Sequence, residues 1–190
     1  LPKHHHVPAA SNVQAALSVV EGGLADAAIA PPGITEQAEV EIIAENIGDN
    51  PDAATRFVLV QKGGKAPART GADKTSIIAE LPDDRAGGLL EMLEQFATRG
   101  VNLSLLESRP VGDSMGRYRF VIDLDGHIDD ERVADALMGL RRFSPNVIYL
   151  GSYPRANGHV PSVSQHNSDE AYAHARAWIS RLRDGSADTA

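Results

Sequence analysis

In the stretch Asp52 to Val60, DAATRFVLV, the residues Thr55, Arg56 and Phe57 stand directly before the apolar run Val58-Leu59-Val60. A hydroxyl and a guanidinium at the mouth of an apolar strand hold either the fold or a substrate. In the first case Thr55 caps the turn made by Asn50 to Ala54 and Arg56 pairs with an acid. Thr before a strand is common, and residue types alone favour this case. In the second case the hydroxyl faces a bound substrate. The guanidinium then grips a carboxylate through two parallel hydrogen bonds.

Ser11 and Asn12 open the stretch SNVQAALSVVEGG. A helix starting here presents free N–H groups and a positive dipole end, which suits a carboxylate. Plain N-capping by Ser11 accounts for the same residue fully. Three histidines, His4 to His6, raise a metal reading. In an extended segment only His4 and His6 share a side, and no acidic cluster accompanies them, so no metal is expected. His127 follows Gly126 at a helix start and is read as structural.

The elements that must carry these groups fall into two patterns. The first is a helix capped by Ser11 and stopped at Gly22-Gly23. A short strand over 25–31, a short helix near Thr35 to Glu39, and strands over 40–47 and 55–62 follow. The segment 62–74, KGGKAPARTGADK, has linker composition. From Thr75 the order is βαββαβ, a ferredoxin-like split βαβ. Its first helix carries Leu89, Leu93, Phe96 and Ala97 on one stripe and stops at Gly100. A turn over 111–116 leads to a strand that alternates Tyr118, Phe120, Ile122 and Leu124 on one face. Its second helix buries Val133, Leu137 and Leu140. A polar tail over 155–167 leads to a helix capped by Ser168, with a stripe of Ala171, Ala175, Trp178, Ile179 and Leu182 that must dock on something.

The 190 residues allow one large domain or two small ones. A net charge of -8 without a basic cluster argues against a nucleic-acid partner. No run of about 18 apolar residues spans a membrane. No secretory leader is read at the N-terminus, and zero cysteines exclude disulfides and thiolate chemistry, which fits a cytoplasmic protein. The chain does not open on Met, and a fragment or a processed chain is expected.

TRF, a linker, a βαββαβ module, and ESRP (Glu107, Ser108, Arg109, Pro110) in the module's second strand together resemble the C-terminal part of prephenate dehydratase. GHIDDERV and YLGSYP match the ends of its ACT domain, the amino-acid-sensing unit. The resemblance covers Ser11 to Pro154. It implies an α/β chain holding a partial lobe of a two-lobed, periplasmic-binding-protein-like catalytic domain over 1–61. A linker over 62–74, an ACT domain over 75–154 and a tail over 155–190 complete it. The implied reaction is loss of CO2 and hydroxyl from prephenate to give phenylpyruvate, without a cofactor. The resemblance makes Thr55 the proton donor, with Arg56, Ser11 and Asn12 as substrate contacts and Phe57 packed beneath.

The effector implied by the resemblance is L-phenylalanine, bound where Ala86, Gly87, Gly88, Leu89 and Leu90 of one motif meet Asn102, Leu103 and Glu107 to Pro110 of the other across a subunit interface. Family members usually read Pro-Gly-Ala-Leu where this chain reads Ala86-Gly87-Gly88-Leu89, which loosens or widens the pocket. In such a site the first amides of the helix after Gly87 hold the carboxylate. Asn102 and nearby carbonyls take the ammonium, and Leu89, Leu103 and Leu105 wall the ring. A homodimer or homotetramer is implied, and the chain alone is expected to be inactive. Two rivals stay open: a non-catalytic ACT module that binds an amino acid and dimerises, and the regulatory domain of an aromatic amino-acid hydroxylase. The second is disfavoured because no large iron-binding domain follows Pro154.

Overall fold

A computed structural model describes residues 3–112 and 118–186. The chain divides into two compact units, Leu1–Val60 and Gln61–Ala190. The expected turn over 111–116 runs into residues 113–117, outside the described residues.

In the first unit, helix α1 (Asn12–Val20) starts where the Ser11 hydroxyl accepts from the Gln14 N–H and ends before Gly22 at φ 78°. A short 3-10 turn, Pro32–Glu36, lies earlier than the helix expected near Thr35 to Glu39. Among the described residues of this unit the buried apolar ones are Ala16 of α1 and Ile34 of the turn. None of the strands expected over 25–31, 40–47 and 55–62 is formed among the described residues. A strand exists by virtue of a partner's N–H and C=O groups. Here the apolar runs are bare: Ile29 is 69% exposed, Ile43 83% and Leu59 99%. Asn46 also turns left-handed at φ 53°, which interrupts the run over 40–47.

The second unit contains β1 (Asp73–Glu80), α2 (Gly88–Ala97), β2 (Leu103–Pro110), β3 (Tyr118–Asp125), α3 (Glu131–Phe143), β4 (Val147–Pro154) and α4 (Asp169–Arg183). The sheet order is β2-β3-β1-β4 and every pairing is antiparallel. This is the ferredoxin-like βαββαβ arrangement, with β2 and β4 at the edges.

Phe120, Ile122 and Leu124 of β3 are buried beside Ile77 and Ala79 of β1, beneath α2 and α3. Tyr118, at the strand's start, is 42% exposed. Each such buried side chain contributes about 1.5–3 kcal/mol. On α3 the buried stripe is Val133, Ala136 and Leu140, with Leu137 packed at its margin. On α2 it is Gly88, Met92 and Phe96, so the expected stripe is displaced by about one position. Ala97 is exposed and Leu93 only partly covered. The opposite sheet face is mixed: Ile78, Val121 and Ile148 form an apolar row across it, and polar pairs flank that row. Ser76 donates to Asp123 at 2.6 Å, Arg119 to Glu80 at 2.9 Å, and Arg155 pairs with Asp125 at 3.0 Å.

Much of the expected linker is tied to the second unit. His127, fully buried, accepts from the Asp129 N–H at Nδ1, so Nε2 carries the proton and donates to the Pro67 carbonyl at 3.0 Å. The Asp73 carboxylate accepts from the Thr70 hydroxyl and from the N–H groups of Thr70 and Gly71 at 2.8 to 2.9 Å. The tail helix α4 buries none of its residues, so the stripe expected to dock leaves Trp178 51% exposed.

Candidate functional site

Chemistry-bearing residues gather at one end of the second unit's sheet. β1 ends there at Glu80, and the Leu81 N–H donates to the Tyr118 carbonyl. The chain turns through Asp83 to Gly88, where the Gly88 N–H donates to the Arg85 carbonyl at 3.1 Å. Gly87, the N-cap of α2, sits at φ 82°, in the left-handed region that glycine adopts without strain. It has no side chain to cap the helix. With the Gly88 N–H taken by Arg85, the next amides of the helix still have no intrahelical partner, so this end offers them to an anion. An Arg85–Glu91 ion pair at 2.6 Å straps the turn to the helix, and Glu91 draws the guanidinium's pKa upward. Ala86 is exposed, as are Leu89 and Leu90 at 39% and 60%, while Gly88 is buried.

Glu107, Ser108, Arg109 and Pro110 lie at the same end of the sheet, on the edge strand β2 opposite Val121 to Tyr118. Arg109 donates to Glu107 at 3.1 Å, with side chains 70% and 47% exposed. Such a pair is worth about 0–1 kcal/mol. Asn102 lies at the other end. Its side chain donates to Asp125 at 2.8 Å, and its carbonyl accepts from the Asp125 N–H. Leu103 pairs with Leu124 and packs against the core. The ten-residue helix α2 separates Gly87 from Asn102 by about 15 Å along its axis. Within one protomer the structure therefore brings ESRP and the glycine turn to the same end and leaves Asn102 apart.

In the first unit, Ser11 caps α1: its hydroxyl accepts from the Gln14 N–H at 3.1 Å and its carbonyl from the Ala15 N–H. Asn12, the first helical residue, is exposed. Thr55, Arg56 and Phe57 lie outside any helix or strand and are exposed. The turn before them is closed by Asn50, whose side chain accepts from the Asp52 N–H at 3.0 Å, so capping it is not the task of Thr55. Phe57 is 89% exposed and does not pack beneath its neighbours as expected, since among the described residues no strand lies alongside it to form a floor. Among the described residues, no three histidine or acidic side chains converge to hold a metal ion.

Sequence reasoning missed a polar cluster at the start of α3. Arg69 reaches Asp130 at 3.0 Å and Asp169 at 2.5 Å, and the Glu131 N–H donates to Asp169. Arg176 grips Glu131 through two bonds at 2.5 Å. Burial alone raises the Asp169 carboxyl's pKa. The hydrogen bonds from Arg69 and the Glu131 N–H outweigh it and hold that pKa below the ordinary range. Glu131 is likewise held low by Arg176. No local spacing announces this cluster, since Arg69 and Asp169 are far apart in sequence.

Two family models match: prephenate dehydratase over residues 1–65 and the ACT domain over residues 75–142. The chain is 42% identical to a prephenate dehydratase of Mycolicibacterium gilvum, over 97% of this chain and 57% of that protein. It is 39% identical to one of Amycolatopsis methanolica, over 94% of this chain and 59% of that protein. The chain thus spans a little over half the length of these curated relatives. Among solved structures, a prephenate dehydratase from Arthrobacter aurescens in complex with L-Phe aligns with a TM-score of 0.86 at 48% identity. That alignment covers 96% of this chain and 60% of that one.

Proposed function

We propose that this chain, whose two matched segments are a prephenate dehydratase segment and an ACT domain in that order, is the later part of a phenylalanine-regulated prephenate dehydratase. The observation that carries the reading is the likeness, across nearly the whole chain, to a prephenate dehydratase that binds L-Phe. The activity belongs to the protein at the length of its relatives. The first unit contributes the segment Thr55-Arg56-Phe57 to a cleft whose other wall this chain does not supply. In that cleft Thr55 protonates the departing ring hydroxyl of prephenate while the substrate loses CO2 and gains an aromatic ring. Arg56 holds a substrate carboxylate, and the α1 start at Ser11 and Asn12 offers N–H groups to a second. The reaction needs no cofactor, and the protein works in the cytoplasm.

The second unit senses L-phenylalanine. The amides after Gly87 bind its carboxylate and Leu89 faces its ring. Asn102 comes from a second subunit. The separation of Gly87 from Asn102 along α2 supports this, because one protomer cannot place both on one amino acid. β2 is an edge strand, and antiparallel approach of two β2 edges carries Asn102 of one copy toward the Pro110 end of the other.

Prephenate turnover at the length of the relatives tests the reading. L-Phenylalanine is expected to inhibit it, and Thr55→Ala to lower kcat by about 10²–10⁴-fold with KM little changed. Near-normal kcat in Thr55→Ala would remove Thr55 from the chemistry, and absence of turnover in the parent would remove the activity.

A further inference from the structure

Helix α4 carries an apolar seam that the described chain leaves uncovered beyond the half-buried Ala171. Ala171, Ala175, Trp178 and Leu182 recur at spacings of four, three and four, the spacing of a two-helix seam. Trp178 is 51% and Leu182 42% exposed, and no residue of α4 is buried. Toward α3, at one flank, α4 sets Arg176 on Glu131, Asp169 on the Glu131 N–H and the half-buried Tyr172. Beyond Ala171 the seam stays open.

We propose that the seam is covered by the α4 of a second copy of this chain, running antiparallel about a two-fold axis between positions 176 and 177. That register sets Ala171 opposite Leu182 and Ala175 opposite Trp178, and each large side chain meets a small one at all four places. The contact is self-complementary, as a two-fold interface requires. Charge favours the same direction. The first turn of α4 holds Asp169 and Glu170 and the last turn Arg181 and Arg183, so antiparallel helices lay acidic turns beside basic ones. The helix dipoles also oppose. Parallel pairing stacks like charges, sets Trp178 on Trp178 and leaves a gap at the alanines.

One helix pair is small against the roughly 1,200–2,000 Å² of a stable interface, so it acts as an accessory contact or a weak dimer. The inference stands on α4 alone and does not depend on the dehydratase reading.

The chain has one tryptophan and no cysteine, which makes the test direct. Single variants A171C and L182C are mixed under oxidation and the products weighed. The mixed disulfide is expected to dominate over either homodimer. Homodisulfides in equal or greater amount, or no cross-link at all, would overturn the register.

In the unmodified chain, Trp178 emission is expected to move to shorter wavelength between about 1 µM and about 1 mM protein, the span of weak association. Ala175→Glu, at an exposed helical site, is expected to abolish the shift while circular dichroism stays unchanged. If Ala175→Glu unfolds the helix, the cysteine pair decides alone. Emission that ignores concentration but shifts on anionic phosphatidylglycerol vesicles would overturn the proposal in favour of a lipid surface.

Discussion

Adjacent glycines at the turn into α2 differ in what they require. Gly87 occupies φ 82°, where a Cβ collides with its own backbone whatever space surrounds it. Gly88 has ordinary helical geometry, and a Cβ there meets the Asp83 carbonyl at 3.5 Å and Arg85 Cγ at 3.8 Å, which is normal contact. Gly87→Ala is therefore expected to cost about 1–2 kcal/mol in urea unfolding. Gly88→Ala is expected to gain about 0.4–1 kcal/mol. Equal effects at the two positions would contradict the assignment of the left-handed residue.

Asp73 supplies a second test. Burial raises its pKa, but the Thr70 hydroxyl and the N–H groups of Thr70 and Gly71 outweigh that and lower it. A carboxylate with a lowered folded pKa stabilises fully above its unfolded value, about 3.9. The contribution fades as pH falls through the lower folded value. Asp73→Asn turns an amide toward those N–H donors and is expected to cost about 2 kcal/mol at neutral pH. The gap between the two proteins should close as pH drops below about 3.9. A gap that holds constant down to acid pH would place the effect in packing rather than charge.

The second unit opens with a segment, 62–74, that composition marks as a loose linker. Its second half is fastened. His127 holds the Pro67 carbonyl, and Arg69 spans the α3 N-cap Asp130 and the first residue of α4. Partly exposed pairs of this kind add little to global stability, about 1 kcal/mol or less. Arg69→Ala is expected to leave the unfolding midpoint nearly unchanged while amide exchange accelerates over 67–72 and at the start of α4. Unaltered exchange there would show that Pro67 and Asp73 hold the segment without Arg69.

How far the sequence revealed these elements depended on where each finds its partners. The β3 alternation of Phe120, Ile122 and Leu124 named the buried face correctly, because a two-residue period leaves no other choice. On α2 the apolar residues spread wider than the buried stripe. Leu89 and Leu90 are apolar yet exposed, and Gly88 and Met92 take the core positions, so the stripe was set about one residue late. The apolar runs of the first unit promised strands, but pairing is non-local, and no periodicity reveals whether a partner strand is present.

The whole chain joins a self-sufficient sheet module to a unit whose apolar runs stay bare. Phe57, Val58, Leu59 and Val60 are all more than half exposed. This fits a chain spanning 57% of a curated relative: the segment bearing the proposed proton donor lacks the surroundings that would make it a dry site. The motifs at both sites were legible only by resemblance, since a Thr before an apolar run and a Gly-Gly turn are common in isolation. That Gly87 and Asn102 stand at opposite ends of α2 could not be read from spacing. It follows from the helix running the length of the sheet between them.

On the proposed reading, the second unit needs nothing from the bare segment to bind L-phenylalanine. Calorimetric titration of the 190-residue chain with L-phenylalanine, with D-phenylalanine as control, addresses that most directly. Saturable heat with one ligand per protomer, selective for the L-form and accompanied by a doubling of mass in light scattering, is the predicted result. Heat no greater than dilution, or binding by a species that stays monomeric, would contradict an effector site shared between two copies.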